Sequence, residues 1–225
     1  MFNKKTVMSN KGVQGFVVLI ALLVSIIAGV RLQSELHRAP FQPKGVAFGI
    51  WGLIYSTLAI SGVTLMNNPI NWVPVILLAF SLLFSAGWVV TVSLENKIWS
   101  AIFITVATLC AMACVSLLRP DIHNPIDWCI CTGPSLLAGW LGVAMGLGIN
   151  IAYHNKTETD LSGWILAPGG VLATVVGIIS GSPTTGLPLI WAAILSKRSS
   201  ISLAVGSLGI ITVGFATFRG IYENG

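Results

Sequence analysis

The chain has 225 residues, of which 55% are hydrophobic and only 8% are Asp, Glu, Lys or Arg. A soluble domain carries roughly 25% charged residues, so this chain lacks the polar surface needed to cover a globule in water. Its net charge of +5 calls for no nucleic acid, since basic loops against anionic headgroups account for it. The composition predicts an all-α integral membrane protein whose main partner is the lipid bilayer.

A spanning helix needs about 20 apolar residues to cross a hydrocarbon core of ~30 Å. A tail with Lys4, Lys5 and Lys11 precedes the first apolar run, Val13 to Val30. A basic start before an apolar run can be a signal peptide. No A-x-A site follows this one and the run is long, so it reads as a retained helix. The second span is Val46 to Met66, closed by Asn67-Asn68-Pro69. The third is Trp72 to Leu94, the fourth Ile98 to Leu118, and the fifth Trp128 to Tyr153. The sixth runs from Leu161 to Ile179 and is broken by Gly181-Ser182-Pro183. Thr185 to Ser196 is short for a span and contains Pro188, so it crosses thinly, tilts, or is re-entrant. The last is Ile201 to Phe218, with Arg219 after it. With eight spans, Lys and Arg divide between the two sides without a strong bias, and orientation is weakly determined.

Every acidic residue and every histidine is placed in a tail or loop: Glu35, Glu95, Asp121, Asp127, Glu158, Asp160, Glu223, His37, His123 and His154. Ionisable groups inside a bilayer mark ion paths and proton relays. Their expected absence from the spans argues against a proton-coupled pump, a charged-ring channel and a buried-lysine pigment. It also leaves no visible metal site and no nucleophile with a histidine base. Cys110, Cys114, Cys129 and Cys131 all fall in spans four and five. The Cys110/Cys114 spacing could serve a soft metal, but small packing residues are the simpler reading.

Eight tryptophans remain to be explained. Trp72, Trp99, Trp128 and Trp164 sit near span ends, as an interfacial aromatic belt requires. Trp51, Trp88, Trp140 and Trp191 lie further in. Phe48, Trp51 and Tyr55 follow Pro43 on one helix face, and such a stripe serves helix packing or lines a cavity. In span five, Trp140, Ala144 and Leu147 share a face, and Asn150 is an amide deep enough to want a buried partner. Gly142 and Gly146 have the spacing that permits close helix approach.

Two of these stretches carry a family resemblance. Pro43, Phe48, Trp51 and Tyr55 resemble the P-x-x-x-x-F-x-x-W-x-x-x-Y signature of the second helix of the TspO/MBR family, the tryptophan-rich sensory proteins and the translocator protein (peripheral benzodiazepine receptor). Pro134, Trp140, Ala144, Asn150 and Asn155 are similar in order to that family's last helix. Trp88, in Ala-Gly-Trp, looks like the tryptophan of its third. Departures are the reduced first loop, Ser135 where the family has tyrosine after proline, and two or three extra C-terminal spans. The resemblance implies a basic tail over residues 1–12, a five-helix core over 13–155 and an added membrane segment over 156–225. It also implies a pocket under the first loop for a hydrophobic ligand, porphyrin or haem-like tetrapyrrole or sterol-like, formed by Pro43, Phe48, Trp51, Tyr55, Trp88, Pro134, Trp140, Ala144 and Asn150. A homodimer is a family habit. Binding is the first expectation, uncoupled transport of a small neutral solute the alternative, and an enzyme acting on a bound porphyrin the last, for want of an acid, base or nucleophile.

Overall fold

Why these runs become helices is visible in their lipid faces. On α1 (Val13–Leu32) the exposed apolar residues Phe16, Ile20, Leu23 and Ile27 recur every three or four positions, the repeat of an α-helix. In a computed structural model of the protein, residues 12–32, 49–121, 124–153, 162–195 and 200–224 are described. The further helices are α2 (Ile50–Asn67), α3 (Trp72–Ser93), α4 (Lys97–Leu117), α5 (Pro125–Tyr153), α6 (Ser162–Ser180), α7 (Leu187–Leu195) and α8 (Ser200–Asn224), with a 3₁₀ turn at Pro183–Gly186. Four of them, α2, α3, α4 and the Pro125–Gly146 part of α5, are long and apolar enough to cross a membrane. The protein is a multi-pass, all-α membrane bundle.

Asn71 accepts from the Val73 amide and Asn96 from the Trp99 amide, so α3 and α4 each start on an asparagine cap. The two helices are joined by a tight turn in which Glu95 takes φ +55°.

Helices α1 to α5 close into a ring in the order α1–α2–α5–α4–α3, with α3 returning to α1. Small residues and hydroxyls make the joints. Gly15 lies against Gly62 between α1 and α2, and Gly133 against Leu58 and Ser61 between α2 and α5. Ser81 donates to the Ala107 carbonyl at 2.9 Å, joining α3 to α4, and Thr108 to the Leu141 carbonyl at 3.1 Å, joining α4 to α5. Where lipid replaces water, close packing and such bonds are what hold helices together.

The α5 helix is the axis of the molecule. Its Pro125–Gly146 window is 83% buried, against 33% to 50% for the spanning windows of α2, α3 and α4, because the C-terminal helices cover its outer side. Gly142 on α5 meets Gly169 on α6, and Gly139 meets Thr185 and Pro188. Gly142 is thereby packed within its own chain and offers no surface to a second copy.

Helices α6 and α8 run parallel: Gly170 lies beside Leu208, Gly177 beside Thr212, and Arg219 reaches the last turn of α6. Helix α7 runs against α8, with Gly209 at Ile190 and Gly206 at Ala193. At nine residues, α7 is about 14 Å long, too short to cross alone. It starts from a break inside the bundle, where Gly181 takes φ +69° and Pro183 opens the 3₁₀ turn. Ser182 is 2% exposed and Thr185 fully buried, so irregular backbone at this depth is shielded by protein rather than by lipid.

Charged residues expected in tails or loops lie inside helices: Arg31 in α1, Lys97 in α4, Asp127 in α5, and Arg219 and Glu223 in α8. Asp127 is in the first turn of α5, where an acid suits the helix dipole. Arg219 is in α8, with its guanidinium donating to the carbonyls of Ile178 and Ile179 at 3.2 and 2.7 Å.

Candidate ligand site

The aromatic cluster of the ring forms where α2 and α5 approach. Trp51 and Tyr55 are one turn apart on α2, with ring centroids 5.2 Å apart. The Trp51 ring meets Trp140 of α5 edge-on, at 6.2 Å and 83°, a geometry aromatic quadrupoles favour. Trp140 is 3% exposed, while Trp51 and Tyr55 are half-buried. Beside them, the Tyr55 hydroxyl lies 3.4 Å from Ser25 Oγ on α1. One turn on from Ser25, Gly29 leaves the room that this hydroxyl uses: a Cβ there would come within 3.3 Å of it. Ala144, one turn beyond Trp140, is buried on the same side of α5.

The structure thus brings together Trp51, Tyr55, Trp140 and Ala144, which the sequence had placed on two separate helices. Trp88 sits on α3, half-buried, with its indole nitrogen fully enclosed and unpaired. Pro134 is buried inside α5, six residues before Trp140 and so about a third of a turn away from it around the helix. Pro43 and Phe48, like Asn155, lie outside the described residues, as does the side chain of Asn150.

Three features were missed by the sequence reading. Ser25 gave no signal, being a small residue in an apolar run. Gln14 is 2% exposed and holds both polar groups of Ile70, donating to its carbonyl at 2.7 Å and accepting from its amide at 2.9 Å. An amide at the start of an apolar helix was the available clue. Ser85, on α3, is 2% exposed and its hydroxyl has no partner. Of the cysteines, Cys114 and Cys131 are buried, and among the described residues no group of three or more His, Cys, Asp or Glu could hold a metal ion.

A family model described as TSPO-like protein matches residues 16–218. The chain belongs to this family. The match runs beyond the five-helix ring and through the C-terminal helices, so the family relation covers α6 to α8 as well as the part that carries the motifs. No curated protein and no solved structure matches the chain significantly. The family assignment therefore rests on the family model, which matches residues 16–218.

Proposed function

We propose that this TSPO-like protein binds a flat hydrophobic ligand, a tetrapyrrole such as porphyrin or a sterol-like molecule, among the aromatics of α2 and α5, in a role of stress sensing or regulation. The observation that supports the reading is the Trp51–Trp140 contact. A buried indole supports a half-buried one, and Tyr55 extends the apolar surface by one turn. Flat rings bind such walls by stacking and burial, with few polar contacts. The residues fit a tetrapyrrole held by its faces. We read the protein as a binder rather than an enzyme, because the side chains gathered there among the described residues are aromatics, alanine and a serine hydroxyl.

Titrating purified protein with protoporphyrin while following tryptophan fluorescence tests this. Saturable quenching is expected, with the double substitution Trp51→Ala, Trp140→Ala weakening it at least tenfold. Binding that survives both changes would remove these residues from the account.

A second reading, uncoupled passage of a small neutral solute, is favoured by the break at Gly181–Gly186. Interrupted helices often line transport sites, and Thr185 holds an unpaired hydroxyl there. Solute flux in proteoliposomes separates the two readings: binding without flux supports the first.

A further inference from the structure

Most hydroxyls inside these helices bond back to their own backbone, and others, such as Ser81 and Ser25, bond to a neighbouring helix. Ser61 donates to Thr57, Ser93 to Val89, Thr105 to Ala101 and Thr108 to Ile104. Ser85 breaks the pattern: its side chain is buried and its hydroxyl is unpaired. One turn on, the Trp88 indole nitrogen is buried and unpaired as well. Two orphaned polar atoms at i and i+3 lie on one face of α3. Each costs free energy in a dry interior unless something accepts from it.

That face points into the ring. The exposed Ile76 precedes Ser85 by nine residues, so the two lie about half a turn apart around α3. Ser85 is therefore opposite the lipid. Height follows from the hydrogen bonds. Ser81 to Ala107 and Thr108 to Leu141 set Ser81 level with Leu141, the neighbour of Trp140. Helices α3 and α5 run the same way, so Ser85 and Trp88 lie about 6 and 10 Å beyond that level at 1.5 Å per residue. Ala144 is about 4 Å beyond it on α5. Both donors thus lie on the inward face of α3, further along the bundle axis than the Trp51–Trp140 contact.

We propose that Ser85 and Trp88 form a polar clamp for a hydrogen-bond acceptor on the ligand, and that this acceptor is a neutral carbonyl. The proposal rests on the ligand-binding reading above. An indole N–H can only donate, so the partner accepts. No Asp, Glu, Lys or Arg lies on the described part of α3. Both donors are uncharged, and burying a carboxylate against uncharged donors is far costlier than burying a carbonyl there. The ligand class is thus a flat apolar ring system bearing an ester, ketone or lactam at one end.

Three porphyrins test the clamp by tryptophan quenching: etioporphyrin, which carries only alkyl groups, mesoporphyrin dimethyl ester, and mesoporphyrin as the free diacid. Wild-type protein is expected to bind the ester about tenfold more tightly than etioporphyrin, the worth of one well-made buried hydrogen bond, and more tightly than the ionised diacid. In Trp88→Phe and Ser85→Ala the ester preference falls towards one, while etioporphyrin affinity stays within twofold. Equal binding of ester and etioporphyrin by the wild type overturns the clamp but leaves the aromatic pocket standing. So does an ester preference that survives the double substitution. A preference for the diacid overturns the neutral-carbonyl assignment. If none of the porphyrins binds, the pocket reading falls and the clamp falls with it. Unchanged etioporphyrin binding shows that a variant is folded.

Discussion

Gly142 and Gly169 place the backbones of α5 and α6 in direct contact: a Cβ on Gly169 would overlap the Gly142 carbonyl. No rotamer change relieves a clash with a carbonyl, so even a methyl group must push the helices apart. Gly169→Ala is expected to destabilise the protein by about 2 kcal/mol, the usual scale of overpacking. The midpoint of denaturant-induced loss of helix, in detergent, measures it. A variant as stable as wild type would mean that α6 is free to move off α5.

Gln14 satisfies both backbone groups of Ile70 from inside α1. Gln14→Leu keeps the volume and leaves a buried N–H and C=O unpaired, which costs about 2–4 kcal/mol if water cannot reach them. Gln14→Glu keeps both bonds only as the neutral acid, since its ionised form sets a buried carboxylate against the Ile70 carbonyl. The expected order of stability is therefore Gln, Glu, Leu at low pH, with the Glu variant losing stability as the pH rises. A Leu variant as stable as wild type would show that water replaces the side chain.

Glu95 holds φ +55° in the exposed turn between α3 and α4. This left-handed conformation costs an L-residue about 1 kcal/mol, and glycine adopts it freely. Glu95→Gly is expected to raise stability by about that amount, while Glu95→Val, branched at Cβ, lowers it. Thermal unfolding of the three proteins side by side checks the order.

Arg219 fixes the end of α6 from α8 by donating to the carbonyls of Ile178 and Ile179. A cation at a helix C-terminus is favourable, and hydrogen bonds from charged groups contribute about 1.5–3 kcal/mol. Arg219→Met should loosen the last three helices and leave the five-helix ring intact. Faster proteolysis in the 181–200 region, with tryptophan quenching by porphyrin unchanged, is the expected result. Loss of ligand binding in step with proteolysis would show that the ring depends on the C-terminal segment.

Much of the fold was legible in the order of residues. The span limits read from hydropathy agree with the helices to within a few positions, except that α8 runs on to Asn224, because apolar length is what a bilayer selects. Val46 to Phe48 of span two, Leu161 of span six and Ser196 of span seven lie outside the described residues. The doubtful stretch after Gly181 was legible as doubtful: Pro183 and Pro188 each lack an amide N–H, and Thr185 to Ser196 is too short to cross. The aromatic stripe on α2 was visible as a stripe. That Trp51 meets Trp140 was not, since 89 positions separate them and nothing local links them.

The sequence by itself determined that this protein lives in a membrane, where its apolar segments lie, and that its spans are nearly free of charge. Those properties are sums over neighbouring residues, and a bilayer enforces them segment by segment. Only the tertiary structure decided which helices are neighbours and which hydroxyls are left without a partner. It made α5 the axis, committed Gly142 to α6, carried Arg219 to the end of another helix, and turned Ser85 inward with nothing to bond. These depend on how small residues let particular backbones approach. A helix face becomes a site only when the helices around it close.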